Sequence, residues 1–209
     1  MPEPHIVIGT PNLSSWSLRP WLLLHDAGVP FGQTVIDIER PDRRQLILEH
    51  SPAGKVPVLK HGDNLIWESL AICEYLAELH PERGWWPAAA SDRARARTIS
   101  SEMHAGFAAL RQTLPMEYLA RGLTYEDSSE TAADIARIIS IWQDCLERSD
   151  GGHREGDFLF GRFGVADAMF APVVSRFRSY GIILEDALSD YLEAMWLHPA
   201  MQAWATLCH

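Results

Sequence analysis

The chain has 209 residues, of which 47% are apolar and 22% are charged, and it carries a formal net charge of −10. This length allows one or two domains with a sizeable buried core. The acidic balance argues against nucleic acid and anionic membrane surfaces as partners, because both repel negative charge.

The cysteines and the N-terminal segment exclude further classes of protein. Cys73, Cys145 and Cys208 lie far apart and form no CxxC pair. This spacing argues against a zinc ribbon, a disulfide scaffold and a dithiol redox centre, and it is typical of a reducing compartment. The N-terminus has no basic segment followed by an apolar one, so we expect no signal peptide. No apolar run approaches membrane-spanning length.

The first part of the chain alternates between strand and helix patterns. Residues 6–8 form a short apolar run that ends at Gly9, which predicts the first strand. Residues 14–28 predict a helix that tolerates Pro20 because this proline lies in the first turn. Residues 34–38 predict a second strand, which is parallel to the first if the helix is a crossover.

The α/β pattern continues through a hairpin and a further helix. Residues 44–50 predict a short helix. Residues 56–60 and 65–67 predict two strands that turn-forming residues join into a hairpin. Apolar side chains then recur at helical spacing over residues 69–79. The order of these elements predicts a compact α/β domain over residues 1–82.

The pattern after a linker at residues 84–90 is helical. Residues 93–119 predict either one long helix or a broken pair, with Pro115 as a kink or an end. The remaining predicted elements are helices at residues 130–148, 165–180, 186–197 and 199–207 and a polar, glycine-rich loop at residues 149–157. We therefore expect an all-α second domain over residues 91–209.

The proline at position 57 stands inside the predicted third strand. Proline lacks the N–H that a strand ladder needs, so it is confined to edges and interruptions. An X–Pro bond also adopts the cis form at modest cost. The pattern predicts an edge on which an extended peptide docks through the backbone of Val56, with a helix N-terminus a few residues later.

Three segments carry a family resemblance. They are Ser14-Ser15-Trp16-Ser17-Leu18-Arg19, then Lys55-Val56-Pro57-Val58-Leu59 with Glu68-Ser69, and then Gly164-Val165-Ala166-Asp167. On these segments the chain resembles the soluble glutathione transferase superfamily, and the first segment is similar to serine-using, zeta-like bacterial members. The resemblance covers nearly the full length. It implies a thioredoxin-like N-terminal domain, which binds glutathione, followed by an all-α C-terminal domain.

The resemblance also implies a function and partners. The family conjugates glutathione, a co-substrate used without a metal, to small hydrophobic electrophiles. A cytoplasmic homodimer with a role in detoxification is implied as well. The alternatives are a glutathione-dependent isomerase or peroxidase of the same fold, and a non-catalytic binding module.

A serine hydroxyl is the expected activating group for the sulfur. A thiol attacks as its thiolate, and an ordinary thiol with a pKa of about 8.5 is mostly protonated at neutral pH. A hydroxyl at a helix N-terminus donates a hydrogen bond to the sulfur, where the helix dipole also favours negative charge. Zeta-like proteins suggest Ser14 for this role, and the spacing before Arg19 in other serine-using classes suggests Ser15. The alternative is that both serines only cap the helix, although Ser17 is the better plain N-cap.

The second segment is expected to hold the tripeptide. The resemblance implies that the backbone of Val56, before Pro57, pairs with the cysteinyl unit. Glu68 takes the γ-glutamyl ammonium group, and Ser69 with nearby helix N–H groups takes the γ-glutamyl carboxylate. An N-cap role for Ser69 is compatible with this assignment.

Cations near this segment are candidates for the remaining carboxylate. Lys55 either reaches a ligand carboxylate or is a solvated residue. Arg40, Arg43 and Arg44 occupy the loop where the family often meets the glycyl carboxylate, and each of them taken singly is expected to be solvated.

The electrophile site is expected along the first long helix. Met103, His104, Phe107 and Arg111 share one face of it, in the region that binds the electrophile in the family, and the alternative is plain helix packing with a solvated Arg111. Trp16 stands where zeta-like proteins carry a cysteine. This departure weakens the case for isomerisation of dicarboxylic diketo acids and removes a thiol that would form a mixed disulfide.

Asp167 resembles the helix-capping aspartate of the family's second domain. The usual Ser or Thr partner three residues earlier is replaced by Gly164. Because capping concerns folding, we expect a structural role for Asp167.

Overall fold

The computed structural model describes residues 2–148 and 156–209. Its first part is built on a mixed sheet of strands β1 (His5–Gly9), β2 (Gly32–Ile36), β3 (Val58–His61) and β4 (Asn64–Trp67). Their order across the sheet is β2-β1-β3-β4. Strand β2 is parallel to β1, and β3 is antiparallel to both β1 and β4. The parallel pair and the hairpin are those that the sequence predicts.

Three helices accompany the sheet. They are α1 (Ser15–Ala27), α2 (Arg43–Leu48) and α3 (Ser69–Leu79), and a one-turn 3-10 helix (Pro81–Arg83) follows. Helix α1 is the crossover between the two parallel strands, as expected. It ends at Gly28, whose φ of 69° is a left-handed conformation that glycine adopts without a Cβ penalty.

The second part of the chain is helical. Its helices are α4 (Ala90–Ala105), α5 (Ala108–Thr113), α6 (Ser129–Arg148), α7 (Val165–Ser179), α8 (Asp186–Leu197) and α9 (Pro199–Leu207). The predicted fold class, an α/β thioredoxin-like part followed by an all-α part, is confirmed. In the described part of the chain, no helix has the length and apolar character needed to cross a membrane.

The predicted stretch is a broken pair of helices: the break lies at residues 106–107, and α5 ends at Thr113, just before Pro115. The Gly106 N–H ends α4 by donating to the Glu102 carbonyl at 2.8 Å. Phe107 then adopts a φ of 60°, which turns the chain before α5 begins. Most of the predicted loop at residues 149–157 lies outside the described residues.

Pro57 precedes strand β3 instead of standing inside it. The strand begins at Val58, which pairs with Val7 of β1. The predicted start at Val56 was therefore wrong, because the proline nitrogen cannot join the ladder. Strand β2 likewise begins at Gly32, two residues before the predicted start, and ends at Ile36.

Asp167 caps α7 from inside the core. Its carboxylate is 1% exposed and accepts hydrogen bonds from the N–H groups of Gly164 at 2.9 Å and Leu159 at 3.0 Å. These bonds agree with the expected structural role. A side chain at position 164 is excluded by space, because a Cβ there would lie 2.4 Å from the carbonyl oxygen of Trp85.

The amino end of α1 is attached to the helical part. Arg19 is 1% exposed, and its Nε donates to the carbonyl oxygen of Met169 in α7 at 3.1 Å. The indole N–H of Trp204 in α9 donates to the carbonyl oxygen of Pro11, just before α1, at 3.1 Å. Both parts of the chain therefore position the first turn of α1.

Candidate functional site

A cavity of about 550 Å³ opens where the first turn of α1 and the amino end of α3 face the segment before β3 and the end of α4. The predicted site residues that line it are Trp16, Lys55, Val56, Pro57, Glu68, Ser69 and His104. The predicted residues that do not line it are Ser14, Ser15, Met103, Phe107 and Arg111. The structure thus brings the whole predicted tripeptide clamp to one cavity.

The backbone at Val56 is free to pair with a ligand. The Val56–Pro57 peptide bond is cis, and Val56 is half-buried at the cavity wall. Among the described residues, neither its N–H nor its carbonyl group has a hydrogen-bond partner. An extended ligand backbone therefore finds one donor and one acceptor at this position.

The amino end of α3 carries an unpaired hydroxyl group. Helix α3 begins at Ser69, and the N-cap residue is Glu68, so the predicted N-cap role of Ser69 was wrong by one residue. Ser69 is 1% exposed, and its hydroxyl has no partner in the described residues. A buried hydroxyl without a partner costs about 1–3 kcal/mol. Glu68 adds a strained φ of 70°, and such local cost is typical of binding sites.

The two candidate serines differ in how available their hydroxyl groups are. Ser14 is the N-cap residue of α1, is 6% exposed, and donates its hydroxyl to Ser17 Oγ at 2.7 Å. Ser17 lies inside the helix and also accepts from the Gly9 N–H at 3.1 Å, so its predicted N-cap role was wrong. Ser15 is half-buried, and its hydroxyl has no partner among the described residues.

Trp16 forms the wall beside these serines. The guanidinium carbon of Arg19 lies 4.3 Å from the centre of its ring, and that of Arg111 lies 4.5 Å from it. The His104 ring meets the indole edge-on, with a centroid distance of 5.3 Å. Cation–π contacts contribute about 0.5–2 kcal/mol each. Arg111 therefore supports the cavity through Trp16 and does not line it directly.

His104 lies beside Glu68 of the clamp at the cavity wall. Its Nε2 lies 3.5 Å from Glu68 Oε2, and its Nδ1 is buried without a partner in the described residues. Burial and then the charge of Arg19 lower the pKa of His104, while the Glu68 carboxylate opposes this shift. In its neutral form the imidazole can donate or accept a hydrogen bond.

The two apolar residues predicted for the electrophile site lie in the core. Met103 is fully buried and Phe107 is 6% exposed, and both belong to the main hydrophobic cluster. They do not share one helix face, because the chain breaks between α4 and α5. The guanidinium of Arg111 bridges this break by donating to the carbonyl oxygen of Met103.

Cations and a second tryptophan complete the cavity. Arg43 and Lys55 line it, whereas Arg40 forms an ion pair with Asp42 at 2.7 Å. Trp67, at the end of β4, also lines the cavity and is 43% exposed. Trp67 is not among the residues predicted from the sequence. Its position directly before Glu68 was the feature that could have indicated it.

The chemistry of the cavity matches a small zwitterionic peptide. It offers a carboxylate and a hydroxyl at one side, free backbone groups beside them, and cations nearby. Within residues 2–148 and 156–209, no three His, Cys, Asp or Glu side chains are grouped as metal ligands.

Sequence comparisons identify relatives. A family model described as the N-terminal domain of glutathione S-transferase matches residues 13–79. The chain is 28% identical to glutathione S-transferase 1 of Dianthus caryophyllus over 174 residues. This match covers 82% of this chain and 77% of that protein. It is 33% identical over 160 residues to a probable maleylacetoacetate isomerase of Caenorhabditis elegans, which covers 77% of this chain and 72% of the relative.

Solved structures share the fold. A glutathione transferase homologue from Burkholderia, solved with bound glutathione, matches with a TM-score of 0.72 at 22% identity and covers 98% of this chain and 97% of its own. A Tau class glutathione S-transferase from mango matches with a TM-score of 0.73 at 18% identity. The match covers 99% of this chain and 96% of the mango protein. On the sequence matches and this fold, the chain belongs to the glutathione transferase superfamily.

Proposed function

We propose that the protein binds glutathione in this cavity and conjugates it to small hydrophobic electrophiles. Membership of the superfamily supports the use of glutathione as the co-substrate. In the proposed reaction the glutathione thiolate attacks an electrophilic carbon, a carbon–sulfur bond forms, and the leaving group departs with its electron pair.

The unpaired hydroxyl of Ser69 is the observation that carries this proposal. Together with the N–H groups at the start of α3, it supplies the donors that a γ-glutamyl carboxylate requires. The Glu68 carboxylate lies next to it and suits the ammonium group of the same unit. The free backbone of Val56 then pairs with the cysteinyl unit, and Arg43 or Lys55 meets the glycyl carboxylate.

A serine hydroxyl at the amino end of α1 is the proposed stabiliser of the thiolate. The helix dipole favours an anion at this end. Ser14 must release its bond to Ser17 before it donates to the sulfur, whereas Ser15 has no bond to release. We therefore assign the larger share of the stabilisation to Ser15.

The electrophile is proposed to approach the sulfur from the side of Trp16 and His104. We further propose a cytoplasmic homodimer with a detoxifying role, in which residues 1–82 bind glutathione and residues 91–209 complete the electrophile site. These assignments follow from the family resemblance.

The test is a variant series assayed with glutathione and a nitro-substituted aryl chloride. The double variant of Ser14→Ala and Ser15→Ala is expected to lose about 10–100-fold in kcat/KM at neutral pH, because one or two units of thiol pKa are at stake. Glutathione affinity measured by calorimetry is expected to change far less. Ser189→Ala is the control, since this exposed serine lies in the first turn of α8, outside the cavity.

Two outcomes contradict the proposal. Unchanged kcat/KM in the double variant rejects the serine mechanism. No measurable heat of glutathione binding to the folded wild-type protein rejects the enzyme assignment and favours a non-catalytic module.

A glutathione-dependent isomerase is the second candidate. The 33% identity to the probable maleylacetoacetate isomerase of Caenorhabditis elegans favours it, while Trp16 at the position of the zeta-like cysteine argues against it. A higher kcat/KM for maleylacetoacetate with glutathione than for the aryl chloride would establish the isomerase function instead.

A further inference from the structure

Trp16 has a hydrogen-bond donor that the protein itself does not use. Among the described residues, its indole N–H has no acceptor. Elsewhere in the protein, the indole N–H groups that donate to a side-chain or backbone oxygen are those of Trp21, Trp85, Trp86 and Trp204. An indole nitrogen only donates, so its partner must be an acceptor or an anion.

The position of Trp16 suits a ligand group at the amino end of α1. Within the described residues, Trp16 is the residue of α1 that lines the cavity. Val56 and Ser69 of the clamp line the same cavity. Ser14 is turned to Ser17, and Ser15 stands directly before Trp16. A group bound in the cavity at this helix end therefore lies beside the indole of Trp16.

The surroundings of the ring favour a negative partner. Arg19 and Arg111 lie over the ring, and neither guanidinium forms an ion pair within the described ranges. Nη1 of Arg19 and Nε of Arg111 are buried without partners. A cation over an aromatic face draws electron density from the ring, which makes the edge that carries the N–H more positive.

We propose that the indole N–H of Trp16 donates a hydrogen bond to the sulfur of bound glutathione and so favours the thiolate over the thiol. This inference rests on the proposed function. The proton of the thiol passes to solvent, and no other bond forms or breaks. Trp16 acts on the same sulfur as the serine hydroxyl, so the nucleophile has two donors from the first turn of one helix.

The decisive variant is Trp16→Phe, which keeps an aromatic ring against the two guanidinium groups and removes the N–H. The pKa of the bound glutathione thiol, followed by thiolate absorbance, is expected to rise by about one unit, which corresponds to about tenfold less thiolate below that pKa. Affinity for S-methylglutathione is expected to stay unchanged, because this thioether forms no thiolate.

Trp196→Phe is the matched control. Trp196 in α8 also lies under two guanidinium groups, those of Arg121 at 4.7 Å and Arg178 at 4.3 Å, and it does not line the cavity. This variant is expected to leave the thiol pKa and both affinities at their wild-type values.

Several results overturn the proposal. One is an unchanged thiol pKa in Trp16→Phe, and another is an equal loss of affinity for glutathione and S-methylglutathione, which means that the ring only shapes the wall.

If Trp16→Phe does not fold, NMR of the wild-type indole N–H signals decides. The chemical shift of one indole N–H must change with pH as the bound thiol ionises in the glutathione complex, and must stay constant in the S-methylglutathione complex. If no indole signal behaves in this way, the donor role is rejected. A wild-type protein that binds no glutathione overturns the proposed function first, whereas normal binding with an unaffected thiol pKa in Trp16→Phe overturns this inference alone.

Discussion

Asp167 shows how one buried side chain holds two stretches of backbone. It accepts hydrogen bonds from the N–H groups of Leu159 and Gly164 on its two carboxylate oxygens. Burial raises the pKa of the Asp167 carboxyl to about 7, although these two bonds act in the opposite direction. In the unfolded chain the same group titrates near 3.9, a typical value for aspartate.

The pKa of Asp167 predicts that stability falls as pH rises through the weakly acidic range. Between pH of about 4 and about 7 the folded protein keeps a proton that the unfolded chain has lost. The free energy of unfolding therefore decreases by up to about 1.4 kcal/mol per pH unit. Urea unfolding at a series of pH values measures this slope. Asp167→Asn, which cannot ionise, is expected to be less stable overall and to lose this part of the slope, and an identical slope in both proteins contradicts the prediction.

The placement of some residues at the cavity can be predicted from the sequence, and that of others cannot. Val56, Glu68 and Ser69 belong to a proline-bearing segment and a helix start, and this local pattern was enough to predict that they lie together. The difference between Ser14 and Ser15 depends on the bond to Ser17 across the first turn of α1, which spacing alone does not reveal.

Helices α4 and α5 show where periodicity fails. Apolar spacing continues across Gly106 and Phe107 as if one helix were present, and the left-handed backbone of Phe107 interrupts it. Met103 in α4 and Phe107 at the break both pack in the core, while His104, the neighbour of Met103 in α4, reaches the cavity.

The start of α7 gives a prediction for Gly164. A Ser at this position restores the family's capping pattern, which alone is expected to stabilise a helix by a few tenths of a kcal/mol relative to glycine. Space predicts the opposite, because any Cβ would lie 2.4 Å from the Trp85 carbonyl oxygen. Gly164→Ser is expected to lower the free energy of unfolding by about 1–3 kcal/mol.

Gly164→Ala serves as the companion variant, because it adds the same Cβ without a hydroxyl. Chemical denaturation of both proteins is the measurement, and both are expected to be destabilised. A Gly164→Ser protein more stable than wild type contradicts the packing explanation.

The molecule as a whole has one main hydrophobic core that runs through both parts of the chain. The same cluster includes Ile6 of β1, Leu22 of α1, Trp142 of α6 and Trp204 of α9. The cavity lies where these parts meet, so its shape depends on how the helical part packs on the sheet part. The sequence predicts the fold and names Arg43 among three loop arginines, but which of these arginines reaches the cavity, and that Trp67 joins it, depend on contacts made only in the folded chain.

The central claim is that this cavity holds glutathione with its sulfur at the first turn of α1. A crystal structure of the glutathione complex tests it most directly. We expect the γ-glutamyl carboxylate at about 3 Å from Ser69 Oγ, the cysteinyl backbone paired with Val56, and the sulfur beside Ser15 and Trp16. Glutathione bound elsewhere, for example in the separate cavity lined by His5, His50 and Lys60, or a sulfur directed away from α1, contradicts the account.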